Sequence, residues 1–465
     1  MEIQEKKSRN ITLGIIMTGA FIGSLGQTLM SPALPTIMKD FNINADVGQW
    51  LTTIYLLVVG IMIPTTAYLI NRLSTRVLFI TAMGIYSVGC IVALFSTNFS
   101  TLFIGRGLQA LGSGALMPLL QFVILYLYPP EKRGAAMSLV GITIGFAPAV
   151  GPTLSGWLID SFGWHSIFNV LTTISILDFV LSFIFLKNVS KGTKSKLDIL
   201  SVILSSIGFG GVLLGFANMG HYGLYNVVTY LPMLIGILSL IVFTLRQLKV
   251  EKPLLELRVF KDRNFTISTI LVIIVYATMM SATIIIPLYI QSVRGYTALH
   301  SGLLMFPGAI SMVLLSPSVG RFLDRYGARF LCIGGMALLA GGTIAFSFLH
   351  ESTSVVFLSV MYFFRMVGIT MLLMPLTVWG VQNLNKEHLS HGTAINNTLR
   401  QIAGAIGSAV FVTVMVNATK NSGEVSRVLA IIHGIDVSFM ASGILGVLGL
   451  LISLFFVKNK KGLKA

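Results

Sequence analysis

Fourteen apolar runs, each long enough to cross a bilayer and almost free of charge, follow one another along the chain. They lie at approximately 12–34, 47–70, 77–97, 102–127, 135–158, 166–186, 199–217, 227–245, 265–288, 301–319, 330–349, 354–380, 392–416 and 434–457. In hydrocarbon no water satisfies a backbone N–H or C=O, so only helices and closed barrels cross a membrane. Barrel strands alternate apolar and polar residues; these runs do not. The chain is 55% hydrophobic and only 10% charged, with a mean hydropathy of +0.87. A soluble fold could not keep that much apolar surface from water. The expectation is an all-α membrane protein of 14 spans, with both termini on the same side. The first run continues into "SPALPTIMKDF" with no cleavage site of small residues, so it reads as a retained span.

The loop charges give the orientation. With the N-terminus cytoplasmic, 25 Lys and Arg fall on inner segments and 4 on outer ones. That bias is the positive-inside pattern, and losing one span midway would scramble it. The remaining basic residues, Arg106, Arg365 and Arg400, fall inside spans. Trp50, Trp157 and Trp164 sit at outer span ends and Trp379 near an inner one, as an interfacial belt would. The net charge of +16 does not point to nucleic acid, because the basic residues are dispersed over short loops. Cys90 and Cys332 lie within apolar runs and are expected as buried thiols. No G-x-x-x-x-G-K-[ST] loop is present, so the chain is not expected to hydrolyse ATP. The expected drive is an ion gradient, with no cofactor.

Two segments recur eight spans apart. "GSGALMPLLQFVI" (112–124) in span 4 resembles "GITMLLMPLTVWG" (368–380) in span 12, and each follows a membrane arginine. "AYLINRLSTRV" (67–77), after span 2, resembles "GRFLDRYGARF" (320–330), after span 10. The expected layout is a six-helix bundle over 1–190, two inserted helices over 191–250, and a second six-helix bundle over 251–465. Two related halves meeting at the bilayer midplane are a common build of secondary transporters.

Five motifs in order carry a family resemblance over essentially the whole chain. "GRFLDRYGARF" resembles the loop motif G-x-x-x-D-R-x-G-R of the major facilitator superfamily. "LFIGRGLQALGSG" (102–114) resembles its span-4 motif, and "GFAPAVGPTLSGWL" (145–158) its span-5 antiporter motif. "QWLTTIYLL" (49–57) and "PLLELRVFKDRNF" (253–265) are similar to segments of the fourteen-span drug:proton antiporter branch, the QacA/EmrB-like group. The resemblance implies the major facilitator fold and proton-coupled export of lipophilic compounds. Two departures stand out. Asn71 replaces an aspartate in the first-half loop, and Gly26 stands where a family segment usually carries an aspartate, which puts cationic substrates in question.

The resemblance implies that the loop at 320–330 clamps two helices. Physically, Asp324 can pair with Arg325, Arg329 or another nearby base, or face a helix N-terminus, whose dipole favours an anion. Gly320 and Gly327 permit close approach and turning. The alternative is an anchor of positive charge alone, which needs no acid. In the first-half loop, Arg72 and Arg76 flank a weaker, neutral Asn71, so asymmetric gating is expected. Gly151, Pro152 and Gly156, together with Ser155 and Pro148, suit a bent, tightly packed helix between the halves.

Arg106 is the strongest candidate for the substrate or proton pathway, since a buried arginine needs a partner or a water-filled cavity. Gln109, Gln121 and Gln27 are its candidate neighbours; bonding to backbone carbonyls alone is the structural alternative. Arg365 takes the matching place in span 12. Asn396, Asn397, Arg400 and Gln401 share one side of span 13 at spacings of three and four. Among acids, Asp178 is the clearest intramembrane carboxyl, expected in local pairing, with Asp436 and Asp324 as further proton candidates. Met30, Met117, Tyr276, Met280, Tyr362 and Met366 are candidate cavity-lining residues, because such surfaces adapt to varied apolar ligands. Ordinary packing is the alternative for each. The function expected is proton-coupled export of lipophilic small molecules across a bacterial plasma membrane, by a monomer. A same-fold exporter of a defined lipid, peptide or organic anion is the rival; a non-transporting sensor and a channel are further alternatives.

Overall fold

The computed structural model describes residues 2–43, 45–129, 132–190, 198–223, 225–251, 253–296, 298–424 and 426–458. The segment 191–197, with three of the counted lysines, and the C-terminal Lys460, Lys461 and Lys464 lie outside the described residues. For Asp46, Pro148, Pro152, His221 and Lys386 only the backbone is described.

The described chain is helical, with no strand. The helices are α1 (Glu2–Thr28), α2 (Met30–Asp40), α3 (Ala45–Arg72), α4 (Thr75–Leu94), α5 (Phe99–Leu127), α6 (Arg133–Phe162), α7 (His165–Phe185) and α8 (Ile199–Tyr222). They continue as α9 (Val227–Lys249), α10 (Arg263–Ser292), α11 (Ala298–Tyr326), α12 (Ala328–Ala345), α13 (Val355–Val381), α14 (Leu389–Lys420) and α15 (Arg427–Phe456). Among the described residues 13 helices are long and apolar enough to cross a membrane. The fourteenth long helix, α6, has 30 residues.

Local chemistry sets the helix ends. The side chains of Asn98, Asp198, Asn226 and Asp262 each accept a backbone N–H of the first turn of α5, α8, α9 and α10. Such caps satisfy donors that have no partner within the helix. Gly327, at φ 80°, separates α11 from α12 in a conformation that glycine adopts without steric cost.

The first apolar run, expected as one span, is interrupted at Leu29. Pro32 has no N–H for the Thr28 carbonyl, and its ring crowds that carbonyl. The Leu29 carbonyl accepts instead from Ser155 Oγ of α6 at 2.7 Å, and Thr28 Oγ1 donates to Ala147 O at 3.2 Å. Leu29 keeps helical backbone angles (φ −66°, ψ −21°), and the two bonds fasten this α1–α2 junction to α6.

Six helices form each half. In the first, α4 packs on α5 and α7, α3 on α5, and α1 on α5, α6 and α7. In the second, α12 packs on α13 and α15, α10 on α13, α14 and α15, and α11 on α13. The halves meet along two seams, α6 against α11 and α13, and α14 against α3 and α5. The inserted helices α8 and α9 form a pair, and α8 touches both α3 and α14 at the edge of the second seam.

Two expectations change in detail. Trp50 and Trp157 are exposed at the apolar surface, but Trp164 and Trp379 are buried. Their indole N–H groups donate to Asp40 Oδ2 at 2.8 Å and to the Lys458 carbonyl at 3.0 Å. They act as pins between segments rather than as part of a lipid belt. Cys90 and Cys332 are free, buried thiols.

The α8–α9 pair is tied at the end that carries the basic loops. Arg246 Nε and Nη2 hold the two Asp198 oxygens at 3.1 and 3.0 Å. Gln247 Nε2 donates to Ser201 Oγ at 2.6 Å and its Oε1 accepts the Leu255 N–H at 3.2 Å. Burial alone would raise the Asp198 carboxyl; the bonds from Arg246 and Ser201 outweigh it and hold the group below its ordinary value. A carboxyl lowered in the folded state stabilises the fold above its unfolded pKa and loses that contribution as pH falls through the folded one. Asp198→Asn should therefore lower the melting temperature at pH 7, and the gap from wild type should close as pH falls below the usual carboxylate range. Thermal melts across that range check it.

Candidate functional site

Two layers of polar contact join the halves at the end bearing the arginine-rich loops. In the outer layer, Asp324, in the last turn of α11, accepts the backbone N–H groups of Gly134 at 2.7 Å and Ala135 at 2.9 Å. These are first-turn donors of α6, so the carboxylate caps a helix of the opposite half and meets the positive end of its dipole. The approach is close because both helices carry glycine there. A Cβ on Gly320 would lie 2.5 Å from the Gly134 carbonyl oxygen, and one on Gly134 would lie 2.6 Å from Asp324 Oδ1. Of the partners considered for Asp324, the helix N-terminus is the one that joins the halves.

The second seam closes with neutral side chains. Asn71, at the end of α3, accepts Ser390 Oγ at 2.9 Å and lies 3.1 Å from His391 Nε2, both in the first turn of α14. The Glu256 N–H donates to His391 Nδ1 at 3.3 Å, linking this contact to the loop after α9. The surrounding arginines serve their own halves. Arg72 Nη1 donates to Tyr68 Oη at 3.0 Å, and Arg76 bonds the Phe183 carbonyl of α7. Arg325 lies over the Tyr326 ring at 5.2 Å.

The inner layer lies deeper. Gln121 of α5 and Asn397 of α14 exchange carboxamide bonds at 2.8 and 3.4 Å. Asn397 Oδ1 also accepts Arg400 Nη1 at 3.3 Å, and Arg400 bonds the Tyr276 hydroxyl while stacking over that ring at 4.5 Å. Gln121, expected beside Arg106, is thus an inter-half residue. Asn397 and Arg400 share their face as expected, whereas Asn396 is buried with Oδ1 unpartnered and Gln401 is half-buried.

Arg106 is 1% exposed. Its Nη1 donates to Gly26 O at 3.0 Å and Gln109 Oε1 at 2.8 Å, its Nε to Leu51 O at 3.3 Å, and its guanidinium stacks over Tyr55 at 4.3 Å. Nη2 has no partner. Among the described residues Gln27 makes no hydrogen bond to it, because Gln27 lies one position round the helix from the carbonyl that does. The space beside Gly26 holds two phenols: Tyr55 Oη donates to Gly23 O at 2.6 Å and Tyr86 Oη to Ile22 O at 3.0 Å. A Cβ at position 26 would meet the Tyr86 hydroxyl. Glycine in the sequence marks this crowding, but the two tyrosines lie too far away in sequence to be read as its cause. Arg365 is buried in the matching place of the second half, donating to Thr343 Oγ1 at 3.1 Å and Thr278 O at 2.6 Å.

The remaining candidates fall mostly into packing. Tyr362 and Met366 face Gly308 of α11, Met280 faces Gly404 of α14, Met30 is buried and Met117 is half-buried. Gly151 receives Thr28, while Gly156 faces open space, so the glycines after Pro148 do not all pack between the halves. Gly141 and Gly145 do meet α11, at Ser316 and Met312. Asp178, expected to pair locally, is buried with Oδ2 unpartnered. Asp436 is partly buried and accepts the Leu349 N–H at 3.2 Å. His350 and His433 are exposed.

Two pseudo-symmetric helical halves, closed on each other at one end by separable polar contacts, define a multi-pass membrane transporter rather than an enzyme. The chain belongs to the Major Facilitator Superfamily, whose sequence profile matches residues 16–408. It is 42% identical over 458 residues to YcnB, an uncharacterised MFS-type transporter of Bacillus subtilis, covering 98% of this chain and 97% of that one. It is 37% identical over 468 residues to the lincomycin resistance protein LmrB of Bacillus subtilis, covering 98% and 97%. Its fold is similar to that of the human organic anion transporter MFSD10 (TETRAN), with a TM-score of 0.66 at 14% identity over 96% of this chain and 99% of that one.

Replacing Asp324 by Asn removes the charge from two hydrogen bonds across the seam, each worth roughly 1.5–3 kcal/mol when charge-assisted. The expected result is at least about a tenfold shift toward the state open at this end. A cysteine placed at Ala135 should label correspondingly faster in Asp324→Asn than in the otherwise identical parent.

Proposed function

We propose that the chain exports lipophilic, drug-like compounds from the cytoplasm in exchange for protons, by alternating access. The halves at 1–190 and 251–465 rock against each other, making and breaking the buried Gln121–Asn397 contact, and the pair within 191–250 braces one seam. Both termini and the basic loops face the cytoplasm, the protein works as a monomer in the plasma membrane, and the proton gradient serves in place of any cofactor. The observation that carries this reading is the outer layer of contacts, at the end bearing the arginine-rich loops. Asp324 on the α6 N-terminus and Asn71 on the α14 N-terminus join the halves through few, separable bonds. A channel or scaffold has no need of such contacts; a rocking carrier must make and break them in each cycle. The similarity to a lincomycin resistance protein supports export of a drug-like cargo.

A second reading, export of a defined anionic metabolite, is favoured by the membrane arginines Arg106, Arg365 and Arg400. Among the described residues none of them has an acidic ion-pair partner. Arg106 is then the residue that meets substrate charge or governs proton release, and Asp178, Asp436 and Asp324 are the candidate proton carriers.

Purified protein in liposomes with an imposed pH gradient distinguishes these readings. Internal pH is followed as cationic, neutral and anionic lipophilic compounds are added. Proton movement with cationic or neutral compounds is expected; a response to anions alone selects the second reading, and no response to any removes proton antiport. Arg106→Ala should abolish the coupled signal, by at least about a hundredfold, while membrane insertion stays intact. Full coupling in that variant would show that Arg106 is structural.

A further inference from the structure

We infer that a lipid-facing groove between α1 and α7 is a binding site for membrane-dissolved amphiphilic amines, with Asp178 as their polar anchor. The site is separate from the seams between the halves. The groove has a volume of about 410 Å³ and is walled by Ile11, Gly14, Ile15 and Thr18 of α1 and by Ile174, Leu177, Asp178 and Leu181 of α7. That volume lies within the range of pockets that hold small organic molecules.

The walls are apolar and face outward: Leu177 is 58% exposed, and Ile11, Ile174 and Leu181 are also exposed. Asp178, at 3% exposure, is set into this wall. Its Oδ2 is sealed from the groove and has no hydrogen-bond partner, so the other carboxyl oxygen is the one a groove ligand can meet; no ion pair reaches the group among the described residues. The other polar side chain of the groove is already used, since Thr18 Oγ1 donates to Gly14 O at 3.0 Å. Arg9, the basic residue nearest in sequence on α1, lies over the Tyr128 ring at 4.8 Å instead. Around Oδ2 the protein supplies glycine and an aromatic edge, with Gly19 and Phe79 as neighbours.

A carboxyl in hydrocarbon carries a free-energy penalty that a partner offsets, and here the protein offers none. The partner that fits is an amine. A carboxyl and an amine share one proton between them, as ammonium carboxylate or as acid and base, and satisfy each other either way. The apolar walls then take the hydrocarbon part. The headgroup of a membrane lipid is the wrong source. Asp178 lies seven residues, about 10 Å at 1.5 Å per residue, from the α7 end at Phe185. That places the carboxyl below the headgroups and within the acyl region. Gly14 leaves the mouth open, for a Cβ there would meet nothing within 4 Å.

The test uses the full chain in phosphatidylcholine nanodiscs and radiolabelled dodecylamine as the probe. Asp178→Asn removes the charge at nearly constant shape, and Gly14→Leu adds a side chain at the mouth, where its Cβ meets nothing within 4 Å. Saturable binding is expected for the wild type, competed by unlabelled dodecylamine but not by dodecanol, and weakened at least about tenfold in each variant. Thermal melts of both variants establish that they are folded. Four results would overturn the proposal. They are absence of saturable binding to the wild type, equal competition by dodecanol, undiminished binding in either variant, and loss of binding when phosphatidylethanolamine replaces phosphatidylcholine. The last would identify the headgroup amine as the occupant.

Discussion

Hydrocarbon supplies no hydrogen bonds, and that one constraint orders most of what this protein does. It forces the backbone into helices and leaves each buried polar side chain to find a partner within the protein. Where the partner lies on the same half, as for Arg365 with Thr343 and Thr278, the bond stiffens a bundle. Where it lies on the other half, as for Gln121 with Asn397, the bond holds one conformation of the whole molecule. A partner lost on rocking must be replaced by water or by cargo, which is how a polar contact between halves comes to couple conformation to occupancy.

Much of the architecture was legible because periodicity and charge report on solvent directly. The span count, the repeat and the two thiols needed no knowledge of what touches what. The interruption at Leu29 was written in Pro32, but the bond that ties it to Ser155, 126 residues away, was not. Gln121 shows the limit more sharply. Its helix and depth were clear, yet its partner sits on α14, and no local pattern marks a residue as belonging to the seam rather than to the arginine one face away. Trp164 and Trp379 illustrate the same point, since span-end position alone does not separate an indole in lipid from one buried against a neighbouring segment.

Gly26 was read from the sequence as an absence, and the structure gives it content. Tyr55 and Tyr86 fill the adjoining space and donate to α1 carbonyls, while Arg106 takes the Gly26 carbonyl itself. The backbone supplies the negative end of a dipole where a side chain could have supplied a charge. Among the described residues Arg106 is held by two carbonyls, a carboxamide and a ring, without an acidic partner, and its Nη2 is a donor with no acceptor.

The two seams close by different geometry and chemistry, a side chain meeting backbone N–H groups at α6 and side chains meeting a side chain at α14. At α6 the capping group is a carboxylate meeting two N–H groups, a contact of fixed direction strengthened by the helix dipole. At α14 it is a carboxamide meeting a hydroxyl and an imidazole, which is weaker for each bond. The inserted pair compensates on that weaker side. Helix α8 lies against both α3 and α14, and the ties from Gln247 to Leu255 and from Glu256 to His391 carry the brace into the seam. In the proposed cycle, opening this end breaks a strong, compact latch on one side and a weaker, neutral contact between α3 and α14 on the other. On the function proposed above, the inserted helices brace the neutral seam, and a change at their base would alter gating without touching the cargo path.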